Sequence, residues 1–132
     1  MINYKTLPEF EKDFKALLKR YRTLESDFET FKKYTIETFY EQSIPTTAFV
    51  PVEGFCCENY VSNKVRKFAC KSLPGRGSQS GIRIIFVWQE SLRLVTFVEM
   101  YFKGDKAEED RGRLGDFVAG LRPYHQKKNP VI

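Results

Sequence analysis

An α+β domain is the fold class this sequence predicts, and three observations carry the prediction. Residues 1–42 place apolar side chains at helical spacing. From Val65 to Phe102 the apolar period changes to two, the signature of strands. The acidic stretch KGDKAEED (Lys103–Asp110) then leads into a last amphipathic segment. A chain of 132 residues suits a single domain with its own core, and no repeat or linker divides it. The domain is drawn at 1–124, with residues 125–132 (HQKKNPVI) as a flexible tail.

Thr6-Leu7-Pro8-Glu9 reads as a helix start, with Thr6 as cap, Glu9 reaching back and Pro8 in the first turn. Phe10, Phe14, Leu17, Leu18 and Tyr21 then share one helical face. A break near Arg22–Thr23 separates a second helix, with Ser26 and Glu29 as a capping pair. Its buried face is Leu24, Phe28, Phe31, Thr35 and Phe39. The two form an N-terminal helical hairpin whose outer faces mix Lys and Glu, as solvated faces do.

Gln42–Asn63, broken by Pro45, Pro51 and Gly54, reads as a connection holding a short strand at most. The first clear strand begins at Val65, with Phe68 and Cys70 alternating with Lys67, Ala69 and Lys71. In the second, Ile82, Ile84, Phe86 and Trp88 alternate with Arg83, Ile85 and Val87. Arg93–Phe102 is the third, after a tight turn at Gln89–Leu92, and the glycine-rich Leu73–Gly81 loop joins the first two. The result is a small, mainly antiparallel sheet under the hairpin. A helix of about three turns closes the domain near Gly120–Pro123.

Composition narrows the function classes. No apolar run approaches the roughly 20 residues a bilayer crossing needs, and the N-terminus lacks a secretory signal, so the expected location is the cytoplasm. Three cysteines, two of them adjacent (Cys56 and Cys57), do not suggest a secreted disulfide framework. Cys56, Cys57, Cys70 and His125 lack zinc-ligand spacing. Glu99, Asp105, Glu108, Glu109 and Asp110 could be imagined around metal ions, but most precede a helix, where the dipole favours acids anyway. The reading is therefore of no metal and no cofactor. Nucleophile-elbow, P-loop and dinucleotide motifs are missing; GRGSQSG lacks the Lys-Ser/Thr ending of a phosphate loop.

Charge is the informative feature. The net charge is +5, yet residues 1–42 hold eight basic and eight acidic side chains and so cancel. Residues 59–89 hold six basic side chains and no acidic one. Edge-strand lysines can serve only to discourage aggregation. Cations crowded onto adjacent strands are better accounted for by a polyanion lying across them. If Phe68, Cys70, Ile84 and Phe86 point under the helices, Lys67, Lys71 and Arg83 emerge on the opposite, open sheet face. With Thr96, Val98 and Met100 inward, Glu99 and Tyr101 join them there. Arg66 lies in the same basic strand, Arg76 in the loop and Lys103 past the strand end. Such a set suits RNA, which carries its own nucleophile, the 2′-hydroxyl. The protein then needs only proton transfer and positive charge on the crowded phosphorane, for which an arginine fork is well shaped.

SGIRIIFVW (Ser80–Trp88) and RLVTFVEMYFKGDKAEED (Arg93–Asp110), in helix-helix-strand-strand-strand order, resemble the RelE/ParE superfamily of bacterial toxins, most of all its HigB- and RelE-like mRNA interferases. The resemblance implies a RelE fold, metal-independent cleavage of translated mRNA on the ribosome, and inhibition by a cognate antitoxin. It matches Arg83 to the arginine expected to stabilise the transition-state phosphate. Lys67 matches a basic position expected in proton transfer or phosphate contact, and Tyr101 is the candidate for the missing C-terminal catalytic tyrosine. Lys71, Arg76, Lys103 and Arg66 fall to phosphate binding. Ala69 stands where the best-known members carry a further lysine. The superfamily also contains ParE-like gyrase inhibitors and inactive members, so a gyrase inhibitor and a non-catalytic nucleic-acid-binding module are the alternatives.

Overall fold

The computed structural model describes residues 1–122; the end of the predicted domain and the tail at 125–132 lie outside them. The chain opens on a strand that periodicity did not reveal, β1 (Asn3–Thr6). It is four residues long and mostly polar, too short to display a period. Helix α1 (Pro8–Arg20) follows, with proline at its start. Thr6 does not cap it. The N-cap is Leu7, without a side-chain cap bond, because Thr6 belongs to β1 and its hydroxyl donates to Glu11 instead.

A turn at Tyr21–Thr23 leads to α2 (Leu24–Phe31). Ser26 donates to the Thr23 carbonyl at 3.0 Å rather than entering a capping box, and Thr23 donates to Asp27 at 2.7 Å. The helix continues through a wider π turn (Lys32–Ile36) into α3 (Glu37–Gln42). The π turn inserts one extra residue, so the buried face slips by one position. Ile36, fully buried, takes the core position expected of Thr35, and Thr35 is left half-exposed.

β2 (Phe49–Cys57) is longer than a short connecting strand, and β3 is Tyr60–Val65, so the strand expected to begin at Val65 ends there. The physical reason lies in the next two amides. Arg66 N–H and Lys67 N–H both donate to the Ala48 carbonyl, at 2.8 and 3.1 Å, which ends the ladder and turns the chain. β4 (Ile82–Gln89), a single 3₁₀ turn (Glu90–Leu92) and β5 (Leu94–Phe102) follow, and α4 (Arg111–Ala119) ends the described chain. Asp110 caps α4 by accepting from Arg113 N–H at 2.9 Å.

The five strands lie in the order β1-β5-β4-β3-β2, antiparallel except for β1 against β5. One face carries Ile82, Ile84, Phe86 and Trp88 of β4 and packs on α1 and the helix over residues 24–42. Phe97 sits there within aromatic contact of Phe10, Phe28 and Phe86. The other face is not open. Ile85, Val87, Val98, Val52 and Tyr60 form a second apolar cluster covered by Leu114 and Val118 of α4.

Strand β5 breaks its own alternation. Phe86 pairs with Phe97 but Ile85 pairs with Glu99, so Val98 is an extra residue, a β-bulge. Phe97 and Met100 consequently share the first core, while Val98 turns to the second. Thr96 pairs with Val87 and Val98 lies in the cluster under α4, so of the expected inward set only Met100 faces the first helical layer. The bulge is braced from both sides. Asp13 of α1 accepts from Met100 N–H at 3.1 Å, and Arg113 of α4 donates to the Val98 carbonyl at 2.9 Å and to Asp13 at 2.7 Å.

Candidate nucleic-acid interface

The second sheet face stays uncovered at one end, beyond α4. Arg83 lies on β4 on the same face as Ile85 and opposite Tyr101 of β5. Its guanidinium donates to the Arg66 carbonyl at 2.9 Å, which fixes the fork while leaving its remaining donors free. Arg83 and Lys103 wall two adjoining shallow clefts. One, about 280 Å³, is completed by Lys64 and Arg66 beside Val50–Val52. The other, about 490 Å³, is bordered by Arg76 and Gln79. Every ionisable side chain lining either cleft is a lysine or arginine.

The backbone beneath is held by two close approaches. Gly81 (φ 91°) accepts from Lys103 N–H at 2.8 Å, so the chain leaving β5 is tied to the start of β4. Gly81 and Gly104 both lie against the Phe102 ring; a β-carbon at Gly104 would come within 2.4 Å of it. Lys103 is thereby placed beside Arg83.

Tyr101 is not on the open surface. Although it faces Arg83 across the sheet, it is buried beneath the loop that follows β5. Its hydroxyl donates to Glu109 at 3.5 Å, and the Lys106 ammonium lies 5.3 Å from the ring centre. Burial, reinforced by the charges of Glu109 and Glu99, pushes the phenol well above its ordinary value, against a smaller downward pull from Arg83. The expected outward Glu99 is buried too; it pairs with Lys106 and accepts from Asp110 N–H at 2.7 Å. Period-two reasoning identified the correct face for both residues but could not see the loop folded over it.

Lys67 and Lys71 do not join Arg83. Because the chain turns at Arg66–Lys67, the two lysines border a separate groove against the 24–42 helix, and Lys67 donates to the Thr47 hydroxyl at 2.8 Å. Of the predicted residues, the structure thus gathers Arg83, Arg66, Lys103 and, at the far margin, Arg76. Lys64 also lines the cleft, although alternation starts the strand at Val65 and gives no sign of it as a site residue. It pairs with Glu109 at 2.9 Å, and Arg111 sits 3.2 Å from the same carboxylate. Burial alone would raise the Glu109 pKa, but the hydrogen bond and charge of Lys64, with Arg111, outweigh it and leave the carboxyl below its ordinary value. Among the described residues, no group of three or more His, Cys, Asp or Glu side chains is arranged to share a metal ion.

No family model matches the chain, and no curated protein matches it either. Among solved structures, the chain is similar to one in the crystal structure of the archaeal RelE–RelB complex from Pyrococcus horikoshii OT3. The TM-score is 0.50 at 12% identity, over 80% of this chain and 98% of that one. The fold is therefore RelE-like, and at this identity the likeness speaks for the fold alone. No helix among the described residues is long and apolar enough to cross a membrane.

Proposed function

We propose that the protein is a toxin of the RelE type that binds single-stranded RNA in the Arg83 cleft and cleaves translated mRNA. The observation that carries the reading is the convergence of Arg83, Arg66 and Lys103, beside the Glu109-paired Lys64, on one open cleft whose lining holds no acid. In that cleft Arg83 holds the phosphate under attack by the adjacent 2′-hydroxyl and stabilises the charge that accumulates on it. Arg66 holds a flanking phosphate. Proton transfer falls to a lysine amine, Lys103 being the exposed one beside Arg83, since the Tyr101 phenol is covered. A protein antitoxin is the proposed partner, in keeping with the RelE–RelB complex that shares the fold.

A second reading has its own support. The lining of the clefts supplies cations and no carboxylate, which is a complete kit for binding RNA and a sparse one for moving protons. One experiment separates the two: single-stranded RNA incubated with the protein, with and without translating ribosomes, followed by mapping of the new ends. The expected products end in a 2′,3′-cyclic phosphate, and Arg83→Ala should lower their rate by at least about a hundredfold with the fold intact. Salt-dependent binding without any cut would leave the binding module as the answer. Neither binding nor cutting would discard both.

A further inference from the structure

The groove that Lys67 and Lys71 border is separate from the Arg83 cleft. Its volume is about 430 Å³, and it lies between the 24–42 helix and the segments 46–48 and 67–71. Thr30 and Thr35 border it from the helix, Thr47 from the opposite wall, and the two lysines from the third side. Tyr34, at 64% exposure, also borders it, with the Lys33 ammonium 5.3 Å from its ring centre. The π turn is what equips this wall. By carrying Ile36 into the core it leaves Thr35 free to face the groove. Asp27 also borders the groove, its Oδ2 accepting from the Thr23 hydroxyl at 2.7 Å and from Lys71 N–H at 3.0 Å.

We infer that this groove is a second subsite for the same RNA strand, taking a nucleotide that flanks the Arg83 cleft. The inference rests on the RNA-binding reading proposed above. The groove and the cleft lie on either side of the chain turn at Arg66–Lys67, since Arg66 lines one and Lys67 the other. A strand on Arg83 reaches Lys67 by passing around that turn. There the two ammonium groups meet its phosphate, the threonine hydroxyls meet sugar and base edges, and the Tyr34 ring offers a stacking platform. Two lysines at the rim also argue for an anionic strand over an apolar peptide.

The test measures affinity for a long single-stranded RNA and for a dinucleotide in wild type, Tyr34→Ala, Lys71→Ala and Arg83→Ala. Tyr34 and Lys71 are exposed, so both variants should fold. Each should weaken the long RNA by about tenfold and leave the dinucleotide unchanged. Lys71→Ala should also flatten the salt dependence by about 0.7 in logarithmic slope. A long RNA carrying 5-iodouridine should photo-crosslink to Tyr34. If Arg83→Ala loses affinity while the groove variants bind normally and no crosslink maps to Tyr34, the second subsite is wrong and the RNA-binding reading stands. If Arg83→Ala binds as well as wild type, that reading fails as well. Groove variants that lose only a protein partner would likewise overturn the inference, assigning the groove to a peptide.

Discussion

Arg83 and Tyr101 are partners across the sheet, yet one reaches solvent and the other does not. The difference comes from Glu109 and Lys106, which cover the phenol and not the guanidinium. Tyr101 should therefore stay protonated where a free phenol ionises, near pH 10. Tyr4 and Tyr40 are raised as well, by burial first, then by the charge and hydrogen bond of Glu37 for Tyr4 and the charge of Glu90 for Tyr40. Alkaline titration followed by phenolate absorbance should leave these three of the seven tyrosines untitrated until the protein unfolds. Glu109 behaves in the opposite sense. Its folded pKa is lowered, so its contribution to stability is complete above the ordinary value of 4.5 and drains away as pH falls through the lower folded value. Glu109→Gln should cost about 1–2 kcal/mol at neutral pH in denaturant melts, with the gap closing as the solution is acidified. Arg83 as the central cation was legible in the sequence because a charge alternating with Ile and Val needs a reason. The enclosure of Tyr101 was not, because only tertiary contact brings residue 109 over residue 101.

At the scale of elements, alternation and helical spacing located α1, β4 and most of β5, where long apolar patterns leave little choice. They failed where a single residue is inserted. The π turn exchanges Thr35 for Ile36, and the bulge at Val98 hands half of β5 to the opposite face. A pattern of fixed period cannot register an insertion that restores the same period one position later. They failed also where backbone bonding stops a strand despite continued alternation, as the shared Ala48 carbonyl does at Arg66 and Lys67. The brace supplies partners to the backbone at the bulge, Arg113 to the Val98 carbonyl and Asp13 to Met100 N–H. Arg113→Met should therefore cost about 2–3 kcal/mol, measured by chemical unfolding. It should also loosen α4, with faster amide exchange at Leu114 and Val118 than elsewhere. Uniform exchange across α4 and the sheet would show that Arg113 does not hold the helix down.

For the whole molecule, helices cover one face of the sheet and α4 covers half of the other, so the cationic end is what remains for a large ligand. Charge segregation in the sequence points to such a surface, but not to a chain turn at Arg66–Lys67 that divides its cations between the cleft and a separate groove. The contribution of β1 is disproportionate to its size. Leu7 N–H bonds the Phe97 carbonyl at 3.0 Å, and Tyr4 stacks on Phe97 with ring centres 6.0 Å apart. Removal of residues 1–6 should expose that edge of β5 and lower the melting temperature by at least about 8 °C, as a loss of roughly 2 kcal/mol would in a domain this small.

The pairing of Asn3–Thr6 with Leu94–Phe97 has a consequence in time. The opening strand has no docking place until the closing one exists, so assembly cannot proceed outward from the first residues. A ribosome would release Asn3–Thr6 long before the strand they settle against, and the cationic rim would come together only once Lys103 had followed Arg83 out.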